Sequence, residues 1–494
     1  MGLVLSIEIK TETANQLMNT DNSNPVYEAL IAFLNRPEIA GKSLLLGYSG
    51  GLDSQVLLHA LTAVKAQNKI TPNIRAIHIN HGLSNNADAW QSFTKEQCAT
   101  LNIPYQAVRV DLTLQQGGGI EEKARNARYQ AFAQNQGPND LILTAHHMDD
   151  QAETLLLALK RGAGVLGLSA MQAIRTMPDV GVIGRPLLAL SRRQLENYAE
   201  QHQLSWVEDE SNQDLDFDRN FLRQQVLPII HQRWQNFASS VSKSAQVLQQ
   251  TQQLLEEVAQ SDLLLSNTEQ AIALDSLLAL SKNRQLNALR YRFKQLQIRM
   301  PEQKQLLQAL QQIETAAQDK NPQVKCANVI LRRYQGHLYI TRDYQDIKNW
   351  SKQLELKHNC ESHDIDLPDG LGTIRIETLA HDSEHVEALT ASAEHAETGV
   401  TQFIQVPFDA NISLRCHHDN PVCKPQDRAH SRPLKKILQE RGIAPWLRSR
   451  QLYIYADSKF AALAGQFVCQ GFTLATDLAH NKRIIKITTN IIQK

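Results

Sequence analysis

Six consecutive residues, Ser49-Gly50-Gly51-Leu52-Asp53-Ser54, put two hydroxyls, two glycines and one carboxylate between the apolar run LLLGY and the helix-spaced run QVLLHAL. A strand-to-helix turn of this kind aims several backbone N–H groups at one spot, with the positive end of the helix dipole behind them. Such a spot binds phosphate. The glycines let the backbone approach a ligand closely, and Ser49 and Ser54 add donors. A carboxylate beside phosphates makes sense with a divalent cation between them, so Asp53 is a candidate Mg²⁺ ligand. An ordinary turn with Asp53 or Ser54 as helix N-cap would need no ligand. The chain has no G-x-x-x-x-G-K-[ST], so this is not a Walker-type loop.

Further residues of chemical interest follow. His146, Asp149, Asp150 and Glu153 lie where the apolar run LILTA gives way to a helical pattern. Asp150 and Glu153, three apart, share a helix face and could hold a cation or an ammonium group; an acidic first turn that complements the helix dipole is the bland alternative. Arg125 and Arg128 share a face in the same way, as solvated arginines also would. From Lys424 to Arg450 eight basic residues stand against Asp427 and Glu440, with Lys435, Lys436 and Trp446 among them. Clustered charge of this kind neutralises phosphates, although charge runs often have no partner.

The elements that must position these residues change character along the 494-residue chain. Up to about Asp150, β-branched runs at Ser43–Gly47, Ile74–Ile79, Tyr105–Val110 and Leu141–Thr144 alternate with helical stretches, the rhythm of a mostly parallel sheet. Between Gly184 and Gly336 there is no glycine. There Val241, Val247, Leu248, Leu254, Leu255 and Val258 recur as one helical face. After about Lys320 strand patterns dominate, with a hairpin expected at Gln335-Gly336 and an acidic insertion at Asp382–Thr398.

Length alone calls for two to four domains. The chain carries 51 basic and 51 acidic residues, so net charge names no partner. Its six cysteines contain no C-x-x-C, which fits a reducing compartment and argues against an iron–sulfur or zinc ribbon. Cys416, His417, His418 and Cys423 offer ligand types without a second paired motif, and read as coincidence. No apolar run approaches the ~18 residues that span a bilayer, and the N-terminus lacks a signal-peptide pattern. No membrane association and a cytoplasmic location are expected.

Ser49–Ser54 resembles the S-G-G-x-D-S signature of the PP-loop ATP pyrophosphatases, which bind the pyrophosphate of ATP on this loop and split ATP between its α- and β-phosphates. Four further blocks, Ala76–Ser84, Gly119–Phe132, Leu143–Met171 and Asp209–Pro228, resemble the tRNA(Ile)-lysidine synthetase family in order and spacing. Ser431–Val468 resembles that family's C-terminal domain, apart from a family glycine missing near Ser431-Arg432-Pro433-Leu434.

The resemblance implies a multidomain α/β protein: an irregular extension at 1–24, a doubly wound parallel-sheet PP-loop domain at 25–235, a helical tRNA-binding middle domain at 236–350 and an α+β tRNA-binding domain at 351–494. It implies ATP and Mg²⁺, an isoleucine tRNA with a CAU anticodon, and L-lysine as partners; a homodimer stays open. Ser49, Gly50, Gly51, Leu52, Asp53 and Ser54 would bind ATP. Asp53, Asp150 and Glu153 would be catalytic, the last two acting on metal or on lysine. His146, Arg125, Arg219, Arg223, Lys435 and Lys436 would contact substrate, Arg219 and Arg223 through an R-N-x-x-R match. A tRNA base thiolase is the nearest rival, an amide synthetase another, and a tRNA-binding protein with a dead nucleotide site a third.

Overall fold

The computed structural model describes residues 24–67, 73–82, 84–114, 119–264, 271–298, 300–317, 321–356, 362–379, 400–474 and 482–491. The acidic segment Asp382–Thr398 and residues 1–23 of the N-terminal extension lie outside them. The chain forms two compact units, Met1–Ala259 and Gln260–Lys494.

In the first unit, helix α1 (Pro25–Leu34) precedes strand β1 (Ser43–Gly47), α2 (Leu52–Ala66), β2 (Ile74–Asn80), α3 (Ala87–Thr100), β3 (Tyr105–Arg109), α4 (Ile120–Asn135), β4 (Asp140–Leu143) and α5 (Met148–Lys160). Then come β5 (Ile174–Met177), β6 (Gly181–Gly184), α6 (Arg192–Gln201) and the long α7 (Phe237–Leu264), which runs past the end of the unit at Ala259. The six strands order as β3-β2-β1-β4-β6-β5, parallel except for β5, which pairs antiparallel with β6. Side chains alternate across β1: Leu44 and Leu46 enter a core with Val26, Leu30, Val56, Leu57 and Tyr198, while Leu45 joins Ile77, Phe132, Ile142 and Ile183 on the other face. Helices thus cover both faces, as a parallel sheet requires. The chain leaves β1 toward β2 and β3 on one side and later returns to β4 on the other, so a switch point lies between β1 and β4.

In the second unit, strands β7 (Ile272–Ala273), β8 (Gln323–Cys326), β9 (Val329–Tyr334) and β10 (His337–Arg342) form a sheet in the order β7-β10-β9-β8. Its core, with Leu289, Phe293, Leu306, Leu310 and Leu331, includes the helices Lys282–Gln295 and Gln303–Thr315. The expected hairpin turns at Gln335 and Gly336, both with positive φ (48° and 76°), which matches the twist of the paired strands. Strands β11 (Ser351–Leu354), β12 (Ser362–Asp366), β13 (Gly372–Leu379), β14 (Val400–Pro407), β15 (Ile412–Arg415), β16 (Val422–Cys423), β17 (Arg432–Pro433), β18 (Tyr453–Ala456), β19 (Lys459–Leu463), β20 (Phe467–Val468) and β21 (Lys482–Ile491) build the remainder. Two of their sheets, β11-β15-β18-β19-β20 and β12-β13-β21-β14, share one apolar core around Ile374, Ile404, Leu414, Ile454 and Ile487.

Two sequence expectations need correction. The helical face drawn through Val241 to Val258 is divided: Val241 is buried and shares a small core with Ala238, Ala152 and Leu227, whereas Val247 and Leu254 are each 60% exposed, and Ala245 and Ala259 are the other buried apolar positions. The middle domain expected to be helical at 236–350 also carries the sheet β7-β10-β9-β8, and its first strand, β7, pairs with β10. A two-residue strand is too short to leave a period in sequence.

Candidate active site

The Ser49–Ser54 turn joins β1 to α2 at the switch point. Gly50 has φ +88°, and a Cβ on it would lie 2.8 Å from Thr94 Cγ2 and 3.1 Å from Val207 Cγ2, so a side chain is excluded twice over. The turn is tied internally: Ser49 Oγ and Ser54 Oγ are 3.0 Å apart, Gly50 N donates to Ser54 Oγ at 3.1 Å, and Ser54 Oγ donates to Gly51 O at 2.9 Å. His78 of β2 is 3.0 Å from Tyr48 O through Nδ1, and Val207 N donates to Gly50 O at 3.0 Å, so neighbouring segments fix the approach to the turn.

A cleft of about 400 Å³ opens at the ends of β1, β2 and β4. Ser49, Gly51, Asp53 and Ser54 line one wall, and His146 and Asp150 the wall after β4. His81, Trp90, Arg128, Asp209 and Arg219 also face it. Residues distant in sequence therefore converge where ligands collect on such sheets. Asn220, the middle of the R-N-x-x-R match, is buried and donates to Ser211 O and Asp214 O at 2.8 Å each, pinning the loop that brings Asp209 to the cleft.

Charge in the cleft is organised around His147, the N-cap of α5, which is 3% exposed. Its Nε2 lies 3.8 Å from Asp53 Oδ2 and 3.5 Å from Asp150 Oδ2; its Nδ1 lies 3.6 Å from Asp149 Oδ2 and has no hydrogen-bond partner among the described residues. Burial opposes its charge, yet Asp150, Asp149 and Asp53 outweigh burial and raise its pKa to about 9. Burial likewise opposes ionisation of Asp150, but His147, the backbone N–H it donates and Arg223 hold that carboxyl below its usual range. Asp53 is pushed up by burial in spite of His147 and Arg192. His146, 2.9 Å from Thr144 Oγ1 through Nδ1, is kept neutral, its pKa lowered to about 3 chiefly by burial.

Glu153 does not reach the cleft wall. Its carboxylate receives Arg223 Nε at 2.8 Å and Nη2 at 3.0 Å, and Arg223 Nη2 also donates to Asp150 Oδ1 at 3.3 Å. Arg223 lies in a π-helical turn, Leu222–Val226, the kind of helix defect that often marks functional positions. Arg125 is exposed over the Tyr129 ring, its guanidinium 5.5 Å from the centroid. In the second unit, Lys435 and Lys436 stand exposed on the helix Leu434–Glu440, while Arg428 and Arg432 pair with Glu440 and Arg441 with Asp427. The basic run is thus partly neutralised within itself, and its lysines remain outward.

Sequence reasoning missed His147 and Arg192. Arg192 Nη1 donates to both oxygens of Asp53 at 2.7 and 2.9 Å, its backbone N to Asp149 Oδ2 at 2.8 Å, and its Nε to Glu196 at 2.9 Å. No spacing links residues 53 and 192. The one local signal was the Ser191–Gln194 capping box, which fixes where α6 begins.

A parallel sheet with a Ser-Gly-Gly-x-Asp-Ser turn at its switch point defines a PP-loop domain, and the family profile of that description matches residues 23–230. Profiles of the TilS substrate binding domain and the TilS substrate C-terminal domain match residues 273–339 and 412–483. The tRNA(Ile)-lysidine synthase of Serratia proteamaculans (strain 568) is 40% identical over 444 residues, 89% of this chain and 95% of that protein. That of Actinobacillus pleuropneumoniae serotype 3 (strain JL03) is 38% identical over 419 residues, 84% of this chain and 94% of that protein. That of Yersinia pestis is 38% identical over 460 residues, 91% and 94% respectively. The chain belongs to the tRNA(Ile)-lysidine synthase family.

Proposed function

We propose that this protein is an ATP-dependent ligase that joins L-lysine to the wobble cytidine of an isoleucine tRNA with a CAU anticodon. The ring carbonyl oxygen of the cytidine attacks the α-phosphorus of ATP and releases pyrophosphate. The ε-amine of lysine then displaces AMP, leaving lysidine, which pairs with A. The observation that carries this reading is one cleft holding the phosphate-binding turn and the Asp53 and Asp150 carboxylates, in a chain matched along nearly its whole length by lysidine synthases.

The backbone N–H groups and hydroxyls of Ser49–Ser54 suit the pyrophosphate portion of ATP, where negative charge grows as the bond breaks. Two carboxylates in one cleft, with His147 between them, are a donor set of the kind Mg²⁺ takes from proteins, which give it one or two oxygens and leave the rest to phosphates and water. When bound there, Mg²⁺ would supply charge neutralisation at the phosphates. Asp150, kept ionised, attracts the ammonium of the incoming lysine, and neutral His146 beside it accepts a hydrogen bond. Glu153 acts through Arg223, which it holds against Asp150. Arg219 at the cleft, exposed Arg125, and Lys435 and Lys436 meet tRNA phosphates.

Such a reaction draws on tRNA, ATP and lysine of the cytoplasm, where we place the protein; no helix among the described residues is long and apolar enough to cross a membrane. The test is incorporation of labelled lysine into an unmodified CAU-anticodon isoleucine transcript with ATP and Mg²⁺. Label should enter with the wild type and not with Asp53→Ala. ATP cleavage without lysine entry would favour the thiolase reading instead.

A further inference from the structure

The contact that the proposed chemistry leaves unused is the ion pair between Arg192 and Asp53. One guanidinium nitrogen bridges both carboxylate oxygens of Asp53, at 2.7 and 2.9 Å, and so sits where a cation bound to that carboxylate would sit. The neighbourhood also holds Asp149, Asp150 and Glu153 as carboxylates, with His147 and Arg223 as the other cations. A divalent ion added at Asp53 would therefore meet two positive charges close by, His147 and Arg192.

These two cations differ in freedom. His147 is 3% exposed, caps α5 and donates its backbone N–H to Asp150 at 2.9 Å, so it is fixed. The Arg192 side chain is 40% exposed, and its Nε already bonds Glu196, one helical turn further along α6. Its backbone is anchored independently of the side chain, by the bond from its N to Asp149 and by the Ser191–Gln194 box beside it. The guanidinium can leave Asp53 without breaking the fold, because an alternative acceptor is in reach.

We infer that Arg192 is the stand-in cation of Asp53: it neutralises the carboxylate before nucleotide binds, yields that place to the metal that arrives with ATP, and then turns to the triphosphate. Arg192 is on this account a positioning residue, since it acts by holding Asp53 available and by discouraging metal without nucleotide. A bare divalent ion has to displace the guanidinium onto Glu196 alone, which its Nε already bonds. Metal bound to ATP brings phosphate oxygens that do receive it, so exchange is favoured when both arrive together.

This inference rests on the reading of the cleft as an ATP site, and its test uses neither tRNA nor lysine. Mn²⁺ binding to the full chain would be measured by electron paramagnetic resonance, first without nucleotide and then with a non-hydrolysable ATP analogue. Arg192→Gln should bind Mn²⁺ alone about tenfold more tightly than wild type, through loss of one competing charge at contact distance, and should bind the metal–analogue complex several-fold more weakly. Arg192→Lys, which keeps a charge without the planar fork, should fall between. Adding Asp53→Asn to Arg192→Gln should abolish the gain. Unchanged or weaker Mn²⁺ affinity in both Arg192 variants overturns the inference. Should the wild type bind neither metal nor analogue, the ATP-site reading fails first, and the Arg192 role with it.

Discussion

Glu153 and Arg223 are joined by two hydrogen bonds, 2.8 and 3.0 Å long, with the Glu153 side chain 1% exposed and that of Arg223 45% exposed. The buried member is therefore the acid, and the arginine reaches from it to Asp150 at the cleft. Burial pushes the Glu153 carboxyl up while Arg223 works against that shift. A carboxylate committed in this way is placed to hold an arginine against the cleft.

Glu153→Ala should cost about 1.5–3 kcal/mol in urea unfolding, the usual size of lost hydrogen bonds to a charged group. Glu153→Gln keeps one acceptor and should recover part of that loss. Were Glu153 instead the base for lysine, the Gln variant would keep its stability and lose the alkaline rise in rate.

The shifted histidines should produce a stability optimum. His147 has a folded pKa of about 9 against an ordinary 6.5, so its contribution is fully present below pH 6.5 and is lost as pH rises through 9. His59 and His146 are lowered to about 4 and about 3, mainly by burial, so they favour the fold above pH 6.5 and oppose it as pH falls toward those values. Melting temperature should peak near pH 6.5. His147→Gln should flatten the alkaline side of the curve, and His59→Gln the acid side.

Gly50→Ala forces a side chain into positive φ and onto Thr94. A cost of about 1–2 kcal/mol is expected from the backbone alone. The turn should move enough to weaken ATP binding on the order of 100-fold, as a misplaced site does. Calorimetric titration with ATP and a parallel melt would separate the two effects.

Lys435→Ala with Lys436→Ala should weaken tRNA binding at low salt and lower the slope of log affinity against log salt by about 1.5, since each phosphate contact contributes about 0.7–0.9. ATP affinity should not change. An unaltered slope would place tRNA elsewhere on the protein.

What could be read from sequence is what the chain writes locally. Strand β1 and the turn after it are contiguous, so apolar run, glycines and hydroxyls announced both element and site; β13 coincides with the GTIRIETL pattern for the same reason. The partnership of Asp53 with Arg192 could not be read, because it depends on α6 returning to the sheet a long way down the chain. His147 was hidden differently. Its neighbour His146 has the same side chain, and only the helix start decides which of the two is a buried cap among carboxylates and which faces the cleft. On α7 the apolar period was present in sequence, but Ala238 and Val241, not Val247 and Leu254, meet the core, and periodicity does not say which side a helix turns inward.

Strand β21 lies between β13 and β14, pairing Gly372 with Ile491 and Val400 with Thr489. This inner strand is thus the last of the sheet's four in chain order. As the chain leaves the ribosome, β13 and β14 emerge without the partner that joins them, and their unpaired edges can capture other strands until β21 appears. The appearance of the whole of β21 is then the step that ends this exposure, and its slow arrival would lengthen the window for aggregation.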